Sequence, residues 1–422
     1  MHPRDLASLA GEETIFGGFA AEKLERLQAE LEPLSGRYDV VVANPPYMGS
    51  KNMNKWLGDW VKTHHKDVKG DLFSCFMVRN VGMGAEHAQL GFMTPYVWMF
   101  IGTYEKLRKF VIQQNTITSL IQLEYSGFSG ATVPICTFTL QKGYCPGYRG
   151  GYVRLSDFVG ADQQAPRALE ALANPDCGWF YRADATEFKV IPGTPIAYWA
   201  SKSLYRSFSL GTALREYVEM PYGFKTGDND RFLRMWWECS MAKLNRNAVS
   251  ADCAAESLAK WFPYNKGGSY RKWYGNNEYV LNYENNGNEV IGMAIEERRN
   301  ASDYSRDLLF KPVVTWSRIS SGRLHMRYSS GGAICDMTGS GYYGPLQTLE
   351  YLQAFCNSSI AMQVAEVLSP TLDYQPGQIG SYPIIIGKQS DVELLTNENI
   401  STAKQDWDYF ESSWDFMKHP LI

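Results

Sequence analysis

The chain has 422 residues, 45 % of them hydrophobic and 20 % charged, with a formal net charge of -4. That length suffices for two or three domains and a sizeable core. The charge excludes a generic polyanion binder, so any nucleic-acid contact must come from local basic patches, and no apolar run approaches membrane-spanning length.

Aromatic content is high at 14 %, with 26 Tyr and 12 Trp, which points to an aromatic binding surface. The cysteines are Cys75, Cys136, Cys145, Cys177, Cys239, Cys253, Cys335 and Cys356. They form no C-x-x-C pair, so no metal site is expected. The expectation is a reduced, cytoplasmic protein without a signal peptide or membrane segment.

Residues 1–37 predict one helix, with Leu24, Leu27 and Leu31 at helical spacing. Phe16-Gly17-Gly18-Phe19 has no strand before it and reads as a turn. Pro33 and Gly36 lead into Tyr38-Asp39-Val40-Val41-Val42-Ala43, an apolar run that predicts a buried strand. Being apolar on both faces, it is expected to be central in its sheet.

Asn44-Pro45-Pro46-Tyr47 follows directly, as a tight loop at the strand's carboxyl end. In open α/β sheets ligands lie there. An exocyclic amine on a flat ring is a poor nucleophile, because its lone pair is conjugated into the ring. Two acceptors for its N–H bonds favour a tetrahedral nitrogen whose lone pair points at an electrophile. The Asn44 side-chain oxygen and the Pro45 carbonyl are suited to that task. The two prolines stiffen the loop and remove competing donors, and Tyr47 offers a face for a planar base. The plain alternative is a strand followed by an ordinary Pro-Pro turn.

Met48 to Lys69 is polar and basic, with Trp56, Trp60 and the pair His64-His65. It predicts a long mobile loop or a short helix over the site. Asp71 is a good N-cap for a helix with Leu72, Phe73, Phe76 and Met77 on its apolar face. A strand at 90–95, a helix from Tyr104 to Gln114 and strands at 117–123 and 133–140 follow. This alternation implies an α/β sheet with crossover helices.

Residues 142–215, rich in Gly, Pro and Ala, read as a connector. From about 216 the character changes, with the polar, turn-rich stretch Gly223 to Phe232. Lys260–Gly275 and Lys311–Cys335 contain no acidic residue. Arg271, Lys272, Arg318, Arg323 and Arg327 in these stretches, with Lys225 in the polar stretch before them, are candidate contacts to DNA, since cations neutralise phosphates and Arg reads guanine edges. An acid-poor solvated surface is the alternative. Residues 346–368 predict a helix ending before Pro370, and 401–417 an aromatic helix.

These motifs together resemble the γ-type adenine-specific DNA methyltransferases. The resemblance rests on Asn44-Pro45-Pro46-Tyr47, Asp71-Leu72-Phe73, the strand ending in Thr94-Pro95, Tyr104 to Arg108, and Phe128 five residues before Val133. The Gly227-Asp228-Asn229-Asp230 stretch and the segment Asp406 to Leu421 are similar to the large methyltransferases of the BREX phage-defence systems. The resemblance covers 38–422. It implies a partial Rossmann-like methyltransferase sheet, then an α+β target-recognition domain, then a C-terminal helical segment. The corresponding boundaries are 1–37, 38–145, 146–215 (connector), 216–385 and 386–422.

The implied activity is site-specific methylation of adenine, with S-adenosylmethionine as cofactor and double-stranded DNA as partner. Other proteins of the defence system are implied as further partners. Asn44 to Tyr47 would be catalytic, Tyr47 and Phe128 would stack on the flipped base, and Asn44 and Asp71 would border the cofactor. The family's cofactor loop lies upstream of its Asn-Pro-Pro-Tyr strand, and 37 residues cannot supply three strands with their helices. The expectation is therefore an internal fragment that binds cofactor weakly unaided. A DNA-binding remnant without chemistry and a protein glutamine methyltransferase remain as alternatives. About 375 residues after the motif argue against the latter.

Overall fold

The computed structural model describes residues 26–422 except 28, 129–132, 297–304, 321 and 371–372. The turn expected at 16–19 and the start of the leading helix lie outside them. That helix is seen at 29–35. The chain divides into two units, Met1–Ala200 and Ser201–Ile422.

The first unit is built on a six-stranded mixed sheet. Its strands are β1 (Tyr38–Ala43), β2 (Gly84–Pro95), β3 (Asn115–Gln122), β4 (Ile135–Lys142), β5 (Arg149–Arg154) and β6 (Phe180–Asp184), in the order β1-β2-β4-β3-β5-β6. Helices α1 (Lys55–His64), α2 (Leu72–Met83), α3 (Glu105–Gln114) and α4 (Ala161–Ala173) complete it. β1 runs parallel to β2, and α1 and α2 lie in the crossover between them. β4 is antiparallel to both β2 and β3.

The core sits on β2, β3 and β4, where Leu90, Phe92, Leu120, Phe138 and Leu140 are buried under Leu107 and Val111 of α3. Arg108 is fully buried in the same layer. Its guanidinium donates to the carbonyls of Trp98 at 2.8 Å, Ile101 at 2.7 Å and Gly193 at 2.6 Å. Burial pushes its pKa down to about 10. The three carbonyls satisfy a charge that would otherwise be costly to bury.

Two expectations change here. β1 is at the edge of the sheet, pairing among the described residues with β2 alone, and Val42 is 76 % exposed. Val40 and Val42 share one face of the strand and are exposed, while Val41 on the other face is half-buried. Residues 146–200 are also no free connector. β5 pairs with β3, β6 pairs with β5, and Ile191 and Ile196 are fully buried.

The second unit is α+β, with small sheets and separate helices. β7 (Thr212–Ala213) pairs with β15 (Pro383–Ile384). β8 (Leu233–Met235), β9 (Trp261–Asn265), β10 (Tyr279–Asn282) and β13 (Ile334–Cys335) form one sheet. β11 (Val313–Trp316), β12 (Met326–Ser329) and β14 (Gly341–Tyr342) form another. Phe224, Phe262, Tyr283 and Phe310 share one core with Phe232 and Leu281. Gly223 packs flat on residue 336, where an added Cβ would lie 2.3 Å from the backbone.

The helix expected at 346–368 is two, Leu346–Cys356 and Ser359–Leu368. Ser358 caps the second, accepting from the amide of Ala361. The chain leaves the helical path at Ser358; Asn357, the last residue before it, clamps Met326, accepting from its amide at 2.9 Å and donating to its carbonyl at 3.0 Å. The last helix spans Gln389–Asp408, earlier than the aromatic run suggested, and residues 409–418 are turns and irregular chain.

Candidate active site

The carboxyl end of β1 presents Asn44 and Tyr47 to solvent, while Pro45 is buried beneath them. The Tyr47 hydroxyl donates to Asn44 Oδ1 at 3.0 Å and also lies 3.3 Å from the Met93 carbonyl at the end of β2. Burial pushes the Tyr47 phenol above its ordinary pKa, so it stays a protonated donor at neutral pH. The bond fixes the Asn44 amide and uses one of the two lone pairs on its oxygen. The other is available to an amine N–H.

The loop after Tyr47 is tied to the start of α2. Asp71 Oδ1 accepts from the amides of Met48 at 2.9 Å and Phe73 at 3.2 Å. Backbone bonds from Leu72 to Met48 and from Ser50 to Gly70 continue the tie. Asp71 is thus the N-cap the sequence predicted. Its Oδ1 serves the loop, which makes it a brace for the 44–47 segment. Phe73 meets the Tyr47 ring edge-on, with centroids 6.4 Å apart, and is itself buried. Sequence reasoning missed this pair. Its only signal was a phenylalanine just after a helix cap. Phe128 is exposed beside residues that are not described.

The segment Met48–Lys69 contains a real helix. Asn54 caps α1 by accepting from the Leu57 amide. Trp56 on α1 is 73 % exposed, whereas Trp60 stacks on His64 with centroids 4.6 Å apart. The His64 ring also bonds the Trp60 carbonyl.

In the second unit the six candidate cations divide. Lys225 and Arg323 are exposed. Arg318 makes a two-pronged pair with Asp373, at 2.7 and 3.0 Å, which holds that carboxyl below its ordinary range. Arg271 pairs with Asp406 at 2.8 Å and lies over the Trp407 ring. Lys272 donates to the Asn357 carbonyl at 2.6 Å. Arg327 is only 3 % exposed, out of reach of an external phosphate, and burial lowers its pKa to about 10. The partners Asp373 and Asp406 lie outside the acid-free stretches, so counting acids along the sequence did not reveal them. Gly227, in the left-handed region, turns the chain so that Asp228 caps Asn229–Phe232.

An amide oxygen and an aromatic ring thus stand side by side at the end of a parallel-paired strand of an α/β sheet. Residues 14–128 match the family model described as the Eco57I restriction-modification methylase. The chain is a relative of the adenine-specific methyltransferases named PglX and BrxX. It is 36 % identical over 397 residues to PglX of Lacticaseibacillus casei (strain Zhang), covering 92 % of this chain and 33 % of that protein. It is 33 % identical over 400 residues to BrxX of Escherichia coli O9:H4 (strain HS), covering 92 % and 31 %. The chain thus spans about a third of the length of these relatives. The fold is shared with two restriction-modification enzymes solved with DNA or a DNA mimic. One is the Type IIL enzyme MmeI, at TM-score 0.54 and 10 % identity, covering 90 % of this chain and 51 % of the other. The second is a nuclease-deletion mutant of the Type ISP enzyme LlaGI, at TM-score 0.53 and 11 % identity, covering 94 % and 44 %. Among the described residues no helix is long and apolar enough to cross a membrane.

Proposed function

We propose that this chain carries the amine-presenting loop and the target-recognition region of a site-specific DNA adenine methyltransferase that uses S-adenosylmethionine. The observation that carries the reading is the Tyr47–Asn44 hydrogen bond at the carboxyl end of β1. A flipped adenine stacks on Tyr47 and places its amine against the free lone pair of Asn44 Oδ1 and the Pro45 carbonyl. Both N–H bonds are then engaged, and the nitrogen lone pair is directed outward. No base is needed before attack, because the nitrogen loses its proton after it becomes cationic.

S-adenosylmethionine supplies an electrophilic methyl group. Of the described residues, the 44–47 loop and the Asn44 side chain fit beside it, and Asp71 holds that loop in place. Binding energy at Asn44 is spent on the reacting amine and so lowers the barrier rather than strengthening DNA binding. The second unit recognises the target, with Lys225 and Arg323 the exposed ones among the six candidate cations. Double-stranded DNA is the partner, proteins of the same phage-defence system are further partners, and the location is cytoplasmic.

The test is transfer of tritiated methyl from S-adenosylmethionine to unmodified duplex DNA. In a full-length version of the enzyme, the Asn44→Ala variant should bind DNA as its parent does and transfer nothing. Equal loss of both would refute the role of Asn44. DNA binding without transfer by the parent would assign the chain to recognition alone. Label on protein glutamine would favour the glutamine reading.

A further inference from the structure

A cleft of about 590 Å³ opens between α1, the segment 66–70 and the start of α3. Five lysines line it: Lys55, Lys62, Lys66, Lys69 and Lys106. Two carboxylates stand among them. Asp67 is taken by Lys106 at 2.5 Å, and Asp59 lies 3.7 Å from Lys62. Among the described residues Lys55, Lys66 and Lys69 make no ion pair, and five lysines against two carboxylates leave the lining with a net charge of +3. No acidic side chain stands in the first turn of α1 to offset Lys55. A chain of net charge -4 has thus gathered cations in one concavity. Concave walls of one sign focus the field and raise the local concentration of the opposite charge.

The cleft and the base platform share one backbone ladder. Ser50 and Gly70 line the cleft and are hydrogen-bonded to each other, and the next rung joins Met48 to Leu72. Ser50 follows Tyr47 by three residues, so their Cα atoms are at most roughly 11 Å apart. A strand that delivers a base to Asn44 must run its backbone close by.

We propose that this lysine cleft seats phosphates of the nucleic-acid strand whose base enters the Asn44 site. The proposal rests on the adenine reading above and extends it. Lys55, Lys66 and Lys69 supply point charges on flexible stems, which suit phosphates but carry no sequence information. The cleft therefore sets the register of the strand and leaves the choice of sequence to other residues.

The test is fluorescence anisotropy with a labelled duplex at several salt concentrations. It compares the parent, a Lys55→Gln/Lys66→Gln/Lys69→Gln variant, and a control with three exposed lysines changed elsewhere, Lys109→Gln/Lys189→Gln/Lys202→Gln. Each phosphate contact contributes about 0.9 to the slope of log affinity against log salt. The cleft variant should lose about 2–3 from that slope and at least tenfold in affinity at 0.1 M salt, and the control should lose less than 1 from the slope. If the triple variant fails to fold, single Lys66→Gln and Lys69→Gln changes should each lower the slope by about 0.9. Equal slopes for the cleft variant and the control would overturn the cleft while leaving the adenine reading intact. Absence of DNA binding by the parent would overturn both.

Discussion

Asp71 offers two roles that a pair of substitutions separates. As a cap, it needs only one side-chain acceptor, for the amides of Met48 and Phe73. As a direct binder of cofactor, it would need its charge. Asp71→Asn keeps the acceptor, and Asn caps about as well as Asp. It removes a charge from the start of α2, whose first turn has no other acid, at a cost of about 0.3–1 kcal/mol. Asp71→Ala removes the cap, at about 1 kcal/mol, the charge, and the bond to Met48, worth about 0.5–1.5 kcal/mol. Together these come to roughly 2–3.5 kcal/mol. In a unit of this size each kcal/mol moves the midpoint by about 2–4 °C. Thermal unfolding followed by circular dichroism should therefore show a fall of roughly 4–14 °C for Asp71→Ala and under about 4 °C for Asp71→Asn. In a methyl-transfer assay Asp71→Asn should stay close to the parent. If Asp71→Asn is as unstable as Asp71→Ala, the capping argument fails. If it is stable but inactive, the charge itself serves the reaction.

Tyr47→Phe keeps the ring and loses the bond to Asn44, so transfer should slow by roughly 2–13-fold, the equivalent of about 0.5–1.5 kcal/mol. Tyr47→Ala should also weaken capture of a flipped 2-aminopurine by about 1–3 kcal/mol, and an unchanged fluorescence signal would make Tyr47 a packing residue. His325 is held neutral, its pKa lowered to about 4 chiefly by burial and then by Arg327. The unfolded chain takes up that proton near pH 6.5, so stability from this group is full above pH 6.5 and is lost as pH falls toward 4. His325→Gln should flatten that part of the pH–stability curve, and an unaltered curve would contradict the assignment. Lys225→Ala with Arg323→Ala should weaken DNA binding without moving the thermal midpoint. Arg318→Ala should lower the midpoint, because it strands Asp373, and the reverse pattern would argue against dividing the cations by their internal partners.

Local chemistry was legible where one segment contains its own explanation. The strand at 38–43, the cap at Asp71 and the helix from 105 follow from spacing and capping within a few residues. The position of β1 was not, because a strand's place depends on what flanks it and its own residues do not record that. The partners of two arginines were hidden for a related reason: charge balance is settled in three dimensions, with Arg271 answered from Asp406 and Arg318 from Asp373. The break at Ser358 was hidden because the apolar pattern continues across it. The clamp on Met326 belongs to a segment some thirty residues away.

The way the second unit closes on itself bears on how it is made. Its first strand, Thr212–Ala213, finds its partner only at Pro383–Ile384. The Trp236 indole donates to the Ser412 carbonyl, and Arg246 reaches Asp415. These contacts join the two ends of the unit across more than 160 residues. During synthesis the early strands leave the ribosome long before the segment that completes them. Such long-range closure slows folding and prolongs exposure of unpaired strands. Emergence of residues 383–415, rather than of the aromatic core, is then the event that allows this unit to fold. Removing the last forty residues would cost it far more than their small share of its length suggests.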